Sequence, residues 1–453
     1  MYRYISFLIL MNIVFGLSSS SVQAENLLEI YQLAQQHDPQ LKIAHQERLV
    51  VLEKKPQARA PLLPQVTLNA NVTENWQTDI NLLNRNRDME NTTLGYTISL
   101  NYALYRRELN IQFQQVDSQI AQVEANYETA RQALMERVST RYFAILTAND
   151  NLKFARSAKK AFQRQLEEAQ RRFEVGLIAI TDVEEAQAGY DLAIADEILA
   201  QNELDTAYEV LREITDTDHF LLASLNKNTP LLNPNTNNID AWTEVALEQN
   251  PNILAAQFVV ATARQEIEKQ RAANLPSLDL VGQQSFSDTL RGEDDGFNNM
   301  NFSIGIQLRY ALYEGGAIQS RIRESQQRHV QALDKLEQQR RTVQLQTRQL
   351  FYTLLSNTSR VKALKQALVS TETALDSIQT GFELGTRTSV DVVNAQRDLL
   401  RVQRDYSKVR YDYVLNTLRL KQAAGVLSQE DLEGINYWLT QPTIELQKEK
   451  EKG

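Results

Sequence analysis

Cysteine is absent from all 453 residues, which excludes disulfide stapling, thiolate chemistry and a lipid carried on a first mature cysteine. Glycine (15) and proline (9) are scarce, and 42% hydrophobic with 23% charged residues suits long helices better than a compact fold. An excess of basic residues is missing as well. The net charge of -9 argues against a nucleic-acid partner, which calls for a basic patch. The four histidines, His37, His45, His219 and His329, are scattered, and none forms a helical metal pair with a neighbour. With no Gly-rich phosphate loop either, the chain gives little support to an enzyme or to a bound cofactor or metal. Asp216-Thr217-Asp218-His219 reads as an Asp-rich loop cap after Ile214, and Glu293-Asp294-Asp295 lacks the spacing of a calcium loop.

Long apolar runs are lacking too, apart from one at the start. Arg3, the apolar stretch 5–17, Ser18 to Ser21 and the small-residue site Val22-Gln23-Ala24 read as a secretory leader cleaved near Ala24, with the mature chain starting near Glu25. That stretch is shorter than the roughly 20 residues a spanning helix needs. Any membrane contact by the mature chain therefore falls to strands or to its surface. An exported, acidic, cysteine-free chain fits a Gram-negative envelope.

What is present is present twice. Phe173-Glu174-Val175-Gly176-Leu177 followed by Thr181-Asp182-Val183 returns as Phe382-Glu383-Leu384-Gly385-Thr386 followed by Ser389-Val390-Asp391-Val392. Upstream, Asp38-Pro39 answers Asn250-Pro251, Leu63-Pro64 answers Leu275-Pro276, and Tyr102-Ala103-Leu104-Tyr105 answers Tyr310-Ala311-Leu312-Tyr313. Two copies of one unit, 25–230 and 231–428, each run strands, very long helix, Gly turn, second helix, with a C-terminal periplasmic tail over 429–453. Residues 26–59 read as a helix pair broken at Asp38-Pro39, the Asn/Pro stretch 226–238 joins the copies, and the Lys/Glu run 445–452 has a disordered composition.

Period-two alternation marks four strands. Val66, Leu68, Ala70 and Val72 share one face of 65–73, and Leu94, Tyr96, Ile98, Leu100 and Tyr102 share one face of 94–102. In the second copy Phe302, Ile304, Ile306, Leu308 and Tyr310 alternate with polar residues, while the segment after Leu275-Pro276 is weaker, with Gly282 and Gln284 between its apolar residues. Each strand is about nine to eleven residues long, the span of a tilted membrane strand. Trp76, Tyr102, Tyr105, Phe286, Tyr310 and Tyr313 cluster near strand ends as an interfacial girdle would. Four strands cannot close a barrel, so a sheet of this kind in lipid must pool strands from several chains; three copies supply twelve, although symmetry alone also admits two or four. The connections 74–92 and 287–300, rich in Asn, Asp and Arg, read as exposed loops.

Neither glycine nor proline interrupts 107–175, where apolar residues fall at Phe113, Val116, Ile120, Val123, Tyr127, Leu134, Val138, Tyr142 and Ile145. Steps of three and four make one helical stripe on a rod on the order of 100 Å long. The second copy repeats it over 317–380, with Val330, Leu333, Leu336, Val343, Leu350, Leu354, Val361, Leu364 and Leu368. Each rod stops at Gly176 or Gly385, and a return helix follows, 182–214 or 390–424. The spacing predicts a capping box between Thr181 and Glu184, and Thr388 or Ser389 as the cap of the last helix. The predicted fold is α+β and mainly α: long antiparallel helical hairpins, with a cap of four strands at the other end.

With Leu63-Pro64, the run Tyr310 to Gly316, and the turns Phe-Glu-Val-Gly and Gly-Thr-Arg-Thr-Ser-Val-Asp-Val in order, the chain resembles the TolC family of outer-membrane efflux and secretion ducts across about 25–429. The resemblance implies a homotrimer with a shared twelve-stranded barrel in outer-membrane lipid and a helical tunnel across the periplasm. It implies a passive conduit for tripartite efflux or type I secretion, opened by a periplasmic adaptor protein and an inner-membrane pump or ABC exporter docking at the tips, the turns of Gly176, Leu177, Gly385 and Thr386. By the same resemblance Thr181 and Asp182 hold the closed gate against Arg387, and Asp391 forms a ring of carboxylates at the constriction. Two positions depart from the pattern. Phe382 replaces a tyrosine and Asn394 replaces a second carboxylate, so the gate is expected to be held by fewer bonds and blocked less strongly by cations. The alternative is an exported coiled-coil scaffold or interaction protein without a pore.

Overall fold

The computed structural model describes residues 24–79, 87–226, 229, 238–291 and 298–440. The predicted leader, the Lys/Glu tail, most of the Asn/Pro joint and Glu293-Asp294-Asp295 lie outside them. The chain starts with α1 (Leu27–His37), α2 (Pro39–Leu52) and α3 (Lys54–Arg59), one short helix more than the predicted pair. The Asp38-Pro39 motif explains the first break. Asp38 closes α1 and caps α2, its carboxylate accepting from the Leu41 N–H at 2.7 Å, while Pro39 takes the first position, where a missing N–H costs nothing. Asn250-Pro251 does the same between α6 (Ile239–Gln249) and α7 (Pro251–Ala272), with Asn250 accepting from the Asn252 N–H.

The strands β1 (Gln65–Asp79), β2 (Arg87–Tyr105), β4 (Ser277–Arg291) and β5 (Asn298–Arg309) form one antiparallel sheet in the order β1-β2-β4-β5. Val66 faces Leu100, Leu68 faces Ile98, Tyr96 faces Phe286, Leu280 faces Ile306, and Phe286 faces Met300. This register puts most apolar residues of the four strands on one side of the sheet and Thr, Ser, Asn and Gln mostly on the other, with β4 the exception, where Gln284 sits beside Ile98 and Phe302 and Val281 beside Asn101. Among the described residues the outer edges of β1 and β5 have no partner strand.

The strands run further than predicted, through much of 74–92 and 287–300. Once a hairpin register is set, backbone hydrogen bonds continue through polar residues, and pairs such as Trp76 with Glu90 and Thr73 with Thr93 lengthen the ladder. Phe286 is no strand-end residue: its ring stacks on Tyr96 near mid-strand at 5.6 Å. At the base of the sheet Arg106 donates two hydrogen bonds to buried Asp279, at 2.8 and 2.7 Å, which ties the first copy to the second.

Below the sheet run α4 (Arg107–Glu174) with α5 (Ile180–Thr215), and α8 (Ala317–Glu383) with α9 (Ser389–Ala423); α10 (Gln429–Asn436) follows. At 68 residues α4 is about 100 Å long. Each long helix packs along its return helix, and α4 also packs on α7 and α9. The core sits at the waist, where Leu134, Met135, Val138, Tyr142, Phe143 and Ile145 of α4 meet α1, α5, α8 and α9. There β3 (Ser224–Leu225) pairs with β6 (Leu439–Thr440), and the Tyr142 hydroxyl donates to the Ala223 carbonyl at 2.7 Å. His219 is buried in the loop after Asp216, a left-handed cap, and its ring nitrogens lie 2.7 Å from Thr215 Oγ1 and 2.6 Å from Glu25 Oε2. Along α8 the predicted stripe is only partly covered: Val343, Leu354 and Val361 are buried, but Val330 and Leu333 are exposed.

Candidate functional site at the two hairpin tips

The two tips have the same backbone. At the first, Gly176 takes φ 75°, its N–H donates to the Phe173 carbonyl, and the Leu177 N–H donates to the Arg172 carbonyl. At the second, Gly385 takes φ 76°, with matching bonds from Gly385 to Phe382 and from Thr386 to Gly381. Left-handed φ strains most side chains but not glycine, so glycine suits the point where the rod must stop and reverse. The turns then expose apolar residues to solvent: Leu177 is 73% exposed and Leu384 75%.

The caps differ from prediction at the first tip. Helix α5 starts at Ile180, so Thr181 lies inside the helix and is exposed, and the predicted box with Glu184 does not form. Asp182 takes the role instead, accepting from the Ala179 N–H at 3.2 Å. The shift arises because Asp182 reaches the first free N–H two residues earlier than a Thr181 cap allows. At the second tip Thr388 caps α9: the Asp391 N–H donates to Thr388 Oγ1, and the Asp391 carboxylate accepts from the Thr388 N–H and hydroxyl, each at 3.0 Å. These Thr388 backbone and side-chain bonds, then the nearby Arg387 charge, hold the Asp391 carboxyl below the ordinary carboxylate value.

Within one chain the predicted gate residues do not all meet. Among the described residues no ion pair or hydrogen bond joins Arg387 to Thr181 or Asp182. Arg387 instead folds back over its own tip: its N–H donates to the Gly381 carbonyl, and a Cβ at position 381 would stand 2.8 Å from Arg387 Cγ. Asn394 is exposed one turn beyond Asp391. Phe382 is partly buried, and here the sequence reading missed a partner. The Arg172 guanidinium lies over the Phe382 ring, 4.6 Å from its centroid, while also bonding Glu168 at 2.6 Å. The sequence signal was the mismatch between the copies, Arg172 before Phe173 against Gly381 before Phe382. Further up, Gln165 Nε2 donates to the Ser389 carbonyl, and Phe162 packs beside Gly189 and Val393.

At the opposite end the aromatic residues of the predicted girdle form two levels. Trp76 is near the hairpin end of β1, exposed, with Nε1 donating to Glu90. Tyr102 and Tyr105 close β2 at the helix end of the sheet, and Tyr310 and Tyr313 follow just past the end of β5, Tyr313 being 88% exposed.

Similarity to known proteins covers both copies. A family model described as "Outer membrane efflux protein" matches residues 30–216 and 242–426. The "Outer membrane protein TolC" of Vibrio cholerae is 36% identical over 424 residues, 93% of this chain and 95% of that protein. The "Alkaline protease secretion protein AprF" of Pseudomonas aeruginosa is 28% identical, covering 90% of this chain and 86% of its own length. The crystal structure of the Campylobacter jejuni CmeC outer membrane channel superposes with a TM-score of 0.75 at 16% identity, covering 91% of this chain and 89% of that one.

Proposed function

The chain belongs to the outer membrane efflux protein family, and from that premise we propose that three copies close one continuous duct whose tips form a gate. The protein is an outer-membrane channel for efflux or type I secretion, mainly α with a membrane sheet. The single observation that carries the trimer is the four-stranded sheet with one largely apolar side and two outer edges that lack a partner among the described residues. In lipid each unpaired backbone group costs several kcal/mol, so β5 of one copy must pair with β1 of the next. Three sheets give a closed barrel of twelve strands, apolar side to the lipid and polar side to the lumen. The exposed Val330 and Leu333 of α8 are then covered by a neighbouring copy, and the aromatic levels at Trp76 and at Tyr102, Tyr105, Tyr310 and Tyr313 sit at the two lipid interfaces.

Below the barrel the hairpins of the two units, 25–230 and 231–428, form the tunnel wall. Cargo passes without chemistry by the chain itself. A periplasmic adaptor and an inner-membrane pump or ABC exporter engage the Gly176, Leu177, Gly385 and Thr386 turns and open them. The Asp391 carboxylates, repeated three times, concentrate negative potential at the constriction and make it cation-selective. Thr181, Asp182 and Arg387 meet across the seam between copies, since Arg387 is exposed and, among the described residues, forms no ion pair within its own chain. The mature chain begins near Glu25 after export.

The test is electrophoresis and conductance together. Protein from the outer-membrane fraction should run as a heat-resistant trimer in detergent and should pass small cations preferentially across a planar bilayer. A stable, water-soluble monomer without conductance would overturn the proposal.

A further inference from the structure

We propose that Arg172 is a positioning residue of the gate, a clasp that holds the second hairpin tip to the first through the face of Phe382; the proposal rests on the channel reading above. Arg172 leaves the last turn of α4, and Phe382 leaves the last turn of α8. The guanidinium stands 4.6 Å from the ring centroid, within the range at which a cation is attracted to the electron-rich face. Glu168, one turn earlier on α4, bonds Arg172 Nη2 at 2.6 Å and fixes the direction of the side chain. The Arg172 side chain is only 27% exposed, so the contact is partly shielded from water.

Position in the fold gives this contact its role. Going toward the tips beyond Gln165, no hydrogen bond or ion pair joins the two hairpins among the described residues. Within one chain Thr388 and Asp391 bond each other, Asp182 bonds Ala179, and Arg387 folds over Gly381, so none of these groups joins one hairpin to the other. A phenylalanine has no hydroxyl to offer a carboxylate, but its ring face is available to a cation. The duplication supplies that cation on one side only. The residue before Phe382 is Gly381, where the first copy has Arg172, so the second hairpin offers no equivalent clasp to Phe173. Each chain thus ties its own two tips together once, and parting the tips requires the guanidinium to slide off the ring.

Single-channel recording tests this. Arg172→Gln and Phe382→Leu should each raise the frequency of the high-conductance state by a factor of about 2 to 5, and more where three clasps release together. Arg172→Lys, which keeps the cation but not the shape of the guanidinium, should stay close to wild type, a rescue that a purely packing role would not produce, and Phe382→Tyr, which keeps the ring face and adds a hydroxyl, should open no more often than wild type. Combining R172Q with F382L should do no more than either alone. Unchanged opening in R172Q and F382L, or effects that multiply in the double variant, overturns the clasp. Should R172Q fail to give heat-resistant trimers, E168Q, on the exposed face of α4, carries the test with a smaller shift in the same direction; no shift there overturns the proposal equally. A wild-type chain that forms no channel would sink the channel reading itself, a result distinct from all of these.

Discussion

The waist and the tips are made from the same pair of helices and are held in opposite ways. At the waist α4 is enclosed on several sides: Phe143 is 1% exposed, its ring lies against Tyr142 and Tyr411, and Asp150 accepts from both Ser407 and Tyr411, at 2.6 and 2.8 Å. Some twenty residues further on, the same helix rests on patches of alanine around Phe162 and Leu166 and then runs out into exposed Phe173, Val175 and Leu177. Dense burial and buried polar bonds give high local stability, while sparse contacts leave a segment able to open at little cost. One continuous rod therefore combines a fixed hub with a yielding end.

Substitutions at the waist should show the largest effects. Phe143→Ala is expected to cost about 3–5 kcal/mol of stability, read as loss of heat-resistant trimer or a lowered denaturation midpoint. A cost below about 1 kcal/mol would break the contrast. Tyr411→Phe keeps the ring and removes one donor to Asp150, for an expected loss of about 1–2 kcal/mol. Burial, followed by the Asp150 charge, raises the Tyr411 pKa above its ordinary 10.0, and burial does the same for Tyr142. The sign follows: these groups contribute their full stability below pH 10.0, and it drains away at higher pH, where the unfolded chain releases protons that the folded chain retains. Alkaline melting curves that stay flat above that pH would remove the assignment.

At the tips, function should respond more than stability. Asp391→Asn is expected to weaken block by multivalent cations about tenfold while leaving the trimer intact. Because Thr388 holds this carboxyl below 3.8, both the charge and its contribution to the α9 cap are present above that pH and are lost as pH falls through the lowered folded value. Block should therefore persist at mildly acidic pH, and an unchanged block in the variant would remove Asp391 from the constriction. The smallest effect should come from Leu177→Ala, within about 0.5 kcal/mol of wild type in a thermal melt, since the side chain already faces solvent.

Much of this contrast was legible in the sequence, and the exceptions have physical causes. Helix length and glycine stops are written locally, because an uninterrupted stripe and one residue suited to positive φ determine them. Gly176 and Gly385 were therefore readable at once. Strand extent was not, since backbone pairing carried Trp76 and Glu90 into a ladder across 74–92, where the wealth of Asn, Asp and Arg had suggested a loop. The first cap slipped because a Thr and an Asp within one turn compete for the same free N–H groups, and only the backbone decides between them. Partners distant along the chain were beyond reach: Arg106 with Asp279, and Arg172 with Phe382, meet only after the two copies have packed. At the candidate gate the residue types were visible, but not which of them bond within a tip.

The matching bond pattern of the Gly176 and Gly385 turns has a consequence for whatever grips this end. Around the proposed threefold axis it would multiply into six knuckles of one shape carrying two alternating sets of side chains. A docking ring that senses only contour would find six equal footholds, whereas one that senses Leu177 against Thr386 would seat in three orientations out of six.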